Sequence, residues 1–211
     1  MHRRNWIGGL LLTFGMAIAA ATSYVGPARP ALGEHSLGTG NNSEEGISCY
    51  FSPDGGCTEA VVEEINRAER SILMQAYSFT SVPIAKALVE AKDRGVQVTA
   101  ILDKSQRTEQ YSSADFVMHA GIPTYIDDKH AIAHNKIMLI DGRTIVTGSF
   151  NFTKQAEHAN AENLLVITNK SVLFAAYEAN FRRHLDHAVS YEGHDAAQAE
   201  NPEAAHKRRK R

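Results

Sequence analysis

The stretch HNKIMLIDGRTIVTGSFN, residues 134–151, decides the fold that we predict for this chain. It contains two apolar runs, KIMLI at 136–140 and TIVTG at 144–148, on either side of Asp141-Gly142. Asp-Gly between two such runs is a strong signal for a β-hairpin. The stretch therefore predicts two antiparallel strands joined at Asp141.

Polar residues lie at the open end of this hairpin. His134 and Lys136 are two apart and project from one face of a strand, and Ser149 and Asn151 return to the same level. Imidazole can act as a nucleophile or a general acid, while ammonium, hydroxyl and amide groups can hold phosphate oxygens. The group indicates phosphodiester chemistry, with strand-end capping as the alternative role of Ser149 and Asn151.

Three carboxylates accompany this group. Glu162 is the candidate to bond the far nitrogen of His134 and fix its tautomer, and Glu157, in a more polar loop, is its rival. By its spacing Asp141 joins the candidate catalytic residues His134, Lys136 and Glu162. Asp is also a common turn residue, so we expect Asp141 to shape the site more than to take part in the chemistry.

A metal site is the alternative interpretation of the same region. His130, His134, His158 and Glu162 could together ligate an ion. Their spacing matches no recognised ligand pattern, and Lys136 would repel the ion. The sequence therefore favours a site without metal or cofactor, with His130 as a loop residue.

The rest of the chain alternates strand and helix before the hairpin, which predicts an α/β fold with a mixed sheet and helices on its faces. A helix that begins with Thr58 as its cap and a last helix with four inward-facing residues are part of this pattern. Strands are predicted at 47–51, 71–79, 96–102, 124–126 and 163–168, helices at 58–67, 81–94, 113–120 and 171–187, and the inward residues are Leu173, Phe174, Tyr177 and Phe181.

The two ends of the chain differ from this body in composition. Residues 1–25 have the basic start, apolar run and small residues of a signal peptide, with an uncleaved anchor as the alternative. We therefore expect export to the periplasm or secretion, with no stable membrane span after cleavage. A flexible linker at 26–46 and a disordered, basic-ended tail at 190–211 would flank a catalytic domain at 47–189.

Charge limits how the chain could bind nucleic acid. The net charge is −2, and it becomes −6 for residues 30–190 once the +3 of the first 29 residues and the +1 of the last 21 are set aside. A nucleic-acid enzyme with this body needs a local positive site or the tail.

The two cysteines, Cys49 and Cys57, are eight residues apart. In an exported protein this pair can close a small loop through a disulfide, which we favour over two reduced thiols.

The pattern His134-x-Lys136-x4-Asp141, followed by Gly148-Ser149-x-Asn151 and Glu162, resembles the HKD motif of the phospholipase D superfamily with its usual extension. The resemblance covers nearly all of residues 47–187, and is greatest to small exported bacterial endonucleases with one motif per chain. It implies a phospholipase D-like α/β/α sandwich. Because this family builds its site from two motifs, it also implies a homodimer that shares one site.

The resemblance further implies a mechanism without metal. One His134 attacks phosphorus to form a phosphohistidine, and the second copy's His134 protonates the leaving oxygen and then activates water. Lys136, Ser149 and Asn151 hold the phosphate oxygens, and Glu162 orients His134.

Three functions remain open from the sequence. The first is a metal-independent endonuclease on DNA and RNA with little sequence preference. The second is a phospholipase D that acts on glycerophospholipids by the same chemistry, and the third is a binding protein without catalysis. Bases could stack on some of four aromatic residues, although core packing is their simpler use: Tyr77, Phe79, Tyr111 and Phe150.

Overall fold

The computed structural model describes residues 43–194, with side chains from residue 45. The strands are β1 Ser43–Glu44, β2 Ile47–Ser52, β3 Ser71–Ala76, β4 Gln97–Asp103, β5 Thr124–Asp127, β6 Lys136–Ile140, β7 Thr144–Gly148, β8 Glu162–Thr168 and β9 Val189–Ser190. The helices are α1 Cys57–Asn66, α2 Val82–Asp93, α3 Ala114–His119, α4 Lys154–His158 and α5 Ser171–Leu185, with a 3-10 turn at Lys104–Arg107.

All nine strands form one mixed sheet in the order β1-β2-β8-β7-β6-β3-β4-β5-β9. Neighbours β3, β4 and β5 are parallel, because α2 and α3 return the chain between them, and the other pairs are antiparallel. The alternation of strand and helix in the sequence therefore predicted the parallel part, and the hairpin predicted the antiparallel part.

Helices cover both faces of the sheet. The larger apolar core packs α1, α2 and α3 against one face, through residues such as Val61, Leu88 and Val117. The smaller core packs α5 against the other face through Phe174 and Phe181. The predicted α/β/α sandwich with a mixed central sheet is confirmed, although Leu173 of α5 is 39% exposed rather than inward-facing.

The predicted hairpin is confirmed in detail. Strands β6 and β7 pair from Ile140 with Thr144 to Ile137 with Thr147. Asp141 and Gly142 have φ angles of 56° and 75°, and the backbone N–H of Arg143 donates to the carbonyl of Ile140. Positive φ at both central residues is the signature of a type I′ turn, whose twist suits a hairpin.

The two cysteines are thiols rather than the predicted disulfide. Cys49 lies in β2 next to Tyr50, which packs against the larger core, so its side chain points to the opposite face of the sheet. Cys57 is fully buried within the larger core at the start of α1. The sheet therefore separates two side chains whose sequence spacing suggested a bond.

The boundaries of the domain also differ from those predicted. The linker assigned to 26–46 includes β1, and Tyr191 belongs to the domain, since it is buried and its hydroxyl donates to Asp115. The proposed signal peptide and most of the basic tail lie outside the described residues. Within residues 43–194, no helix combines the length and apolar character needed to cross a membrane.

Candidate active site

The candidate catalytic residues converge at one edge of the sheet, namely the edge formed by the ends of the strands rather than by an outer strand. Lys136 opens β6 opposite Ala76, the last residue of β3. One step beyond the last β6–β7 pair, Lys136 lies level with Gly148 at the end of β7. Gly148 in turn pairs with Leu164, two residues after Glu162 begins β8. The edge thus collects the start of β6, the end of β7 and the start of β8.

His134 lies just before β6 and its side chain is exposed. Its ring packs against Tyr77, with 4.6 Å between the ring centroids and 55° between the planes. Tyr77 is fixed in turn, because its backbone N–H donates to the carbonyl of Asn135 over 2.9 Å. The imidazole is therefore both oriented by an aromatic ring and open to a substrate.

Lys136 is buried next to His134. Its Nζ donates to the carbonyl oxygen of His134 over 2.9 Å and lies 5.0 Å from the centroid of the Tyr77 ring. Burial lowers the pKa of Lys136, and the negative charge of Glu162 opposes that shift. A cation desolvated in this way interacts more strongly with a phosphate than an exposed lysine does.

The turn after β7 depends on Gly148. Its φ is 149°, and a Cβ at this position would lie 2.2 Å from the carbonyl oxygen of Asn163. The close approach lets the backbone N–H groups of Ser149 and Phe150 both donate to that oxygen. Gly148 thereby sets the path of the chain that carries Ser149 and Asn151 to the edge.

Ser149 and Asn151 reach this edge in different states. The Ser149 hydroxyl accepts hydrogen bonds from Asn163 N at 3.0 Å and Asn163 Nδ2 at 3.2 Å, so part of its capacity is already used. The Oδ1 atom of Asn151 is buried without a hydrogen-bond partner. An amide oxygen and a phosphate oxygen are both acceptors, so Asn151 would hold a phosphate oxygen through its Nδ2 donor rather than through this atom.

Glu162, not Glu157, faces the site. The Glu162 carboxylate accepts a hydrogen bond from Asn160 Nδ2 over 3.0 Å rather than from His134, and its charge acts on Lys136. Glu157 is buried and accepts from Thr58 N over 2.6 Å and from Gly56 N, so it caps the start of α1. The predicted cap residue Thr58 is instead the second residue of that helix.

Asp141 lies away from the other candidate catalytic residues. Five residues of extended strand separate it from Lys136, a distance of about 17 Å along β6. Its carboxylate accepts from the backbone N–H groups of Glu69, Arg70 and Ser71, at 2.9, 2.8 and 3.0 Å. Its placement among the catalytic residues is therefore corrected: Asp141 fastens the hairpin turn to the start of β3.

The alternative metal group is not formed. His158 pairs with Asp54 over 2.7 Å and Glu162 with Asn160, while His130 belongs to a different cluster around Asp127. That cluster, which also contains His184 and His187, was missed by the sequence analysis. The three-residue spacing within each of the pairs 127/130 and 184/187 is the only signal that could have indicated it.

Comparison with known proteins assigns the family. The family model described as "Cardiolipin synthase, PLD-like domain" matches residues 61–185, more than half of the chain. The chain belongs to the phospholipase D superfamily. Members named phospholipase D and cardiolipin hydrolase act on phosphodiester bonds, so this protein is a hydrolase of that bond.

Named relatives and one solved structure extend this result. "Phospholipase D" of Rickettsia typhi is 37% identical over 71% of this chain and 73% of its own length. "Mitochondrial cardiolipin hydrolase" of Chlamydomonas reinhardtii is 31% identical over 65% of this chain and 61% of its own. Nuc of Salmonella typhimurium, a phospholipase D family member, has 37% identity and a TM-score of 0.67 over 69% of this chain and 97% of its own.

The aromatic residues that the sequence suggested for base stacking differ in how far they are buried. Phe79 and Phe150 are fully buried core residues and cannot stack on a substrate. Tyr111 is 74% exposed, and Tyr77 contacts both His134 and Lys136. The sequence suggested only base stacking for Tyr77 and did not indicate its contacts with His134 and Lys136, since nothing local in the sequence links residue 77 to residue 134.

Proposed function

We propose that this phospholipase D superfamily member is a metal-independent endonuclease that hydrolyses DNA and RNA with little sequence preference. The observation that carries the proposal is the group of cations beside the loop that leads to His134. Lys104 donates to the carbonyl of His130, and Arg107 and Lys129 lie 3.7 and 3.6 Å from Asp128. Of the three carboxylates in the same segments, Asp103 and Asp127 are buried and only Asp128 is partly exposed, so the exposed side chains form a basic rim in a chain of net charge −2.

Such a rim supplies what an acidic body otherwise lacks. A polyanion gains affinity by neutralising several phosphates at once, whereas one phospholipid headgroup offers a single phosphodiester. The exposed His134 ring is accessible to a nucleic-acid strand that would run across this edge of the sheet. Within the described residues, no base-reading helix or zinc finger accompanies the site, which supports recognition of the backbone rather than of bases.

The chemistry proceeds in two displacements. A nitrogen of neutral His134 attacks phosphorus, the bond to the leaving oxygen breaks, and a second protonated histidine gives that oxygen its proton. Water then attacks the phosphohistidine, the P–N bond breaks, and the second histidine takes the water proton. The two histidines must therefore differ in protonation at the start, which predicts a bell-shaped dependence of rate on pH.

The second histidine comes from a second copy of the chain in this proposal. The described residues hold one His-x-Lys group, and in a dimer with two-fold symmetry the same residue of both copies can meet on the axis. Lys136 and Asn151 of both copies, helped by Ser149, would hold the non-bridging oxygens. In the single chain Glu162 accepts a hydrogen bond from Asn160, and in the dimer it would orient the His134 ring near this axis.

A direct comparison of substrates tests the proposal. The purified chain is incubated in EDTA with plasmid DNA in one sample and with phosphatidylcholine vesicles in another, beside a His134→Ala variant. We expect plasmid cleavage that the substitution abolishes. Cleavage that survives in His134→Ala would place the activity elsewhere, and a chain that binds DNA without cutting it would be the non-catalytic binding protein.

Phospholipid hydrolysis is the second candidate. Ile132 is 56% exposed two residues before His134, so an apolar side chain could meet a membrane near the site. The Rickettsia typhi relative carries the name phospholipase D. Release of choline from the vesicles without plasmid cleavage would establish this function instead.

We also propose that the chain is exported, because residues 1–25 have the composition of a signal peptide. Fractionation of cells that produce the full chain should place a shortened protein in the periplasm or the medium. A full-length protein in the membrane fraction would indicate an uncleaved anchor.

A further inference from the structure

Four metal-binding side chains meet on the face of the sheet that α5 covers. Asp127 ends β5 and is fully buried, His130 follows in the loop to β6, His184 lies in the last turn of α5, and His187 comes two residues after that helix. One ligand atom from each residue can be chosen so that all four lie within 4.8 Å of one another. Two segments of the chain, 127–130 and 184–187, thus bring three imidazoles to one carboxylate.

The Asp127 carboxylate is shared by all three rings. Nδ1 of His184 lies 2.6 Å from Oδ2, and Nδ1 of His130 lies 3.0 Å from the same oxygen and 3.1 Å from Oδ1. Nε2 of His187 is 3.2 Å from Oδ1, yet it is buried and makes no hydrogen bond of acceptable geometry. One of the three ring nitrogens that approach the carboxylate is therefore left without a hydrogen bond.

We propose that Asp127, His130, His184 and His187 bind a Zn²⁺ ion at a site separate from the phosphodiester site. Three imidazole nitrogens and one carboxylate oxygen are borderline ligands that suit zinc, and four protein ligands make a closed, structural site. Zinc bonds of about 2.0–2.2 Å place tetrahedral ligand atoms roughly 3.4 Å apart. The contacts of 2.6–3.2 Å to Asp127 would therefore lengthen slightly, and separations of up to 4.8 Å would shorten. The ion would also give the buried His187 nitrogen a partner.

The ion would anchor the loop that carries His134. His130 lies four residues before His134, its carbonyl accepts from Lys104, and Ala133 N donates to the buried Asp103 over 2.7 Å. Ile126, beside Asp127, is in register through β4 and β3 with Lys136, three strands or about 14 Å away. The zinc site would thus fasten the end of α5 to the active-site loop without touching the reacting phosphate.

Metal content of the whole protein is the first test. The full chain, produced without a histidine tag, is equilibrated with ZnCl₂, dialysed and analysed by mass spectrometry of the elements. We expect one zinc per chain in the unaltered protein and in the control His158→Gln, whose histidine pairs with exposed Asp54. The double variant His184→Gln/His187→Gln should lose the zinc, because an amide replaces both ring nitrogens.

Thermal unfolding provides the readout that does not depend on a variant. Zinc at about a hundred times its dissociation constant should raise the Tm of the unaltered protein by roughly 5–10 °C, and leave the double variant unmoved. Co²⁺ in place of zinc should give the visible spectrum of tetrahedral coordination. An unaltered chain that holds no zinc and shows no shift in Tm would overturn the proposal and leave a hydrogen-bonded cluster.

The outcomes are independent of the proposed endonuclease. His134→Ala should bind zinc like the unaltered chain, whatever its activity. Failure of the nuclease assay with intact zinc binding would refute only the proposed function. Plasmid cleavage by a chain that binds no zinc would refute only the metal site.

Discussion

Replacing Asp141 with asparagine should destabilise the protein and leave the chemistry of the folded molecules intact. The carboxylate is 4% exposed and accepts three backbone hydrogen bonds from residues 69–71 at the start of β3. Asparagine tolerates the positive φ of 56° at this turn, so the substitution changes the hydrogen bonds and the charge while the backbone conformation is kept.

The magnitude follows from those bonds. Oδ1 accepts from Arg70 and Ser71, and an amide oxygen at the same place can keep both as weaker neutral bonds. Oδ2 accepts from Glu69, and an amide nitrogen there would meet a donor with a donor. One lost bond to a charged acceptor costs about 1.5–3 kcal/mol and two weakened ones add roughly 1 kcal/mol, so we expect a loss of about 3 kcal/mol in the free energy of unfolding.

The loss should depend on pH in a defined direction. Burial alone would raise the pKa of Asp141, but the hydrogen bonds from Ser71, Glu69 and Arg70 and the charge of Arg143 hold it below its ordinary 3.8. A lowered carboxyl pKa contributes stability that is fully present above the unfolded-state pKa and is lost as pH falls through the folded-state value. The difference between the two proteins should be constant from about pH 8 to 5 and shrink below about pH 4.

Urea unfolding at a series of pH values measures this difference, and activity per folded molecule is measured at a temperature where both proteins are native. Asp93→Asn is the matched control, because it removes the same charge from an exposed side chain whose neighbour Lys92 is 3.5 Å away. It should change stability by less than about 0.5 kcal/mol. An Asp141→Asn protein as stable as the parent but catalytically dead would refute the structural role.

Three further substitutions or modifications test other parts of the structure. Gly148→Ala should lower the free energy of unfolding by about 3 kcal/mol or more, because its Cβ would meet the Asn163 carbonyl at 2.2 Å and the φ of 149° is strained for alanine. Urea unfolding measures this loss, and a variant as stable as the parent would contradict it. Glu157→Ala should lower the free energy of unfolding by about 2–3 kcal/mol in the same measurement, since two backbone N–H groups at the start of α1, including that of Thr58, lose a buried charged acceptor. The folded fraction should keep its activity, and a loss of activity would revive Glu157 as the partner of the proposed catalytic histidine. Burial raises the pKa of the Cys57 thiol to about 12, and the charge of Glu157 adds to the shift, so iodoacetamide at neutral pH should modify Cys57 roughly a thousandfold more slowly in the native than in the unfolded protein. Peptide mapping without reductant should find no bond between the two cysteines, and its detection would restore the disulfide.

The sequence predicted most of the fold because its strongest signals are local. Strands β6 and β7 have the predicted bounds, since Asp141-Gly142 allows positive φ at both turn positions. The alternation of strands and helices over residues 71–126 likewise predicted the parallel strands within a few residues. Short elements whose pairing depends on distant segments, α4 and the edge strands β1 and β9, were not predicted.

Roles that depend on long-range packing were the ones predicted wrongly. The spacing of Cys49 and Cys57 says nothing about which face of the sheet each side chain lies on, and Cys49 of β2 and Cys57 of α1 lie on opposite sides. Asp141 has the spacing from His134 and Lys136 that the motif requires, but the five residues of β6 carry it to the opposite end of the strand. The cluster at Asp127 combines residues 57 positions apart, a distance that only the packing of α5 closes.

The topology of the sheet explains why the candidate catalytic residues and the proposed zinc ligands share one edge. The parallel strands β3, β4 and β5 all end there, at Ala76, Asp103 and Asp127, and ligands of such sheets bind beyond the carboxyl ends of the strands. Strand β6 runs antiparallel to β3 and so must begin at the same edge. The chain therefore crosses from the end of β5 to the start of β6 along this edge, and residues 128–135 are obliged to lie beside the site. His134, the proposed nucleophile, lies on that crossing, where it gains access to substrate but loses the rigidity of a strand. The hydrogen bond from Ala133 N to Asp103 and the side chains gathered at Asp127 restore that rigidity from the two neighbouring strand ends.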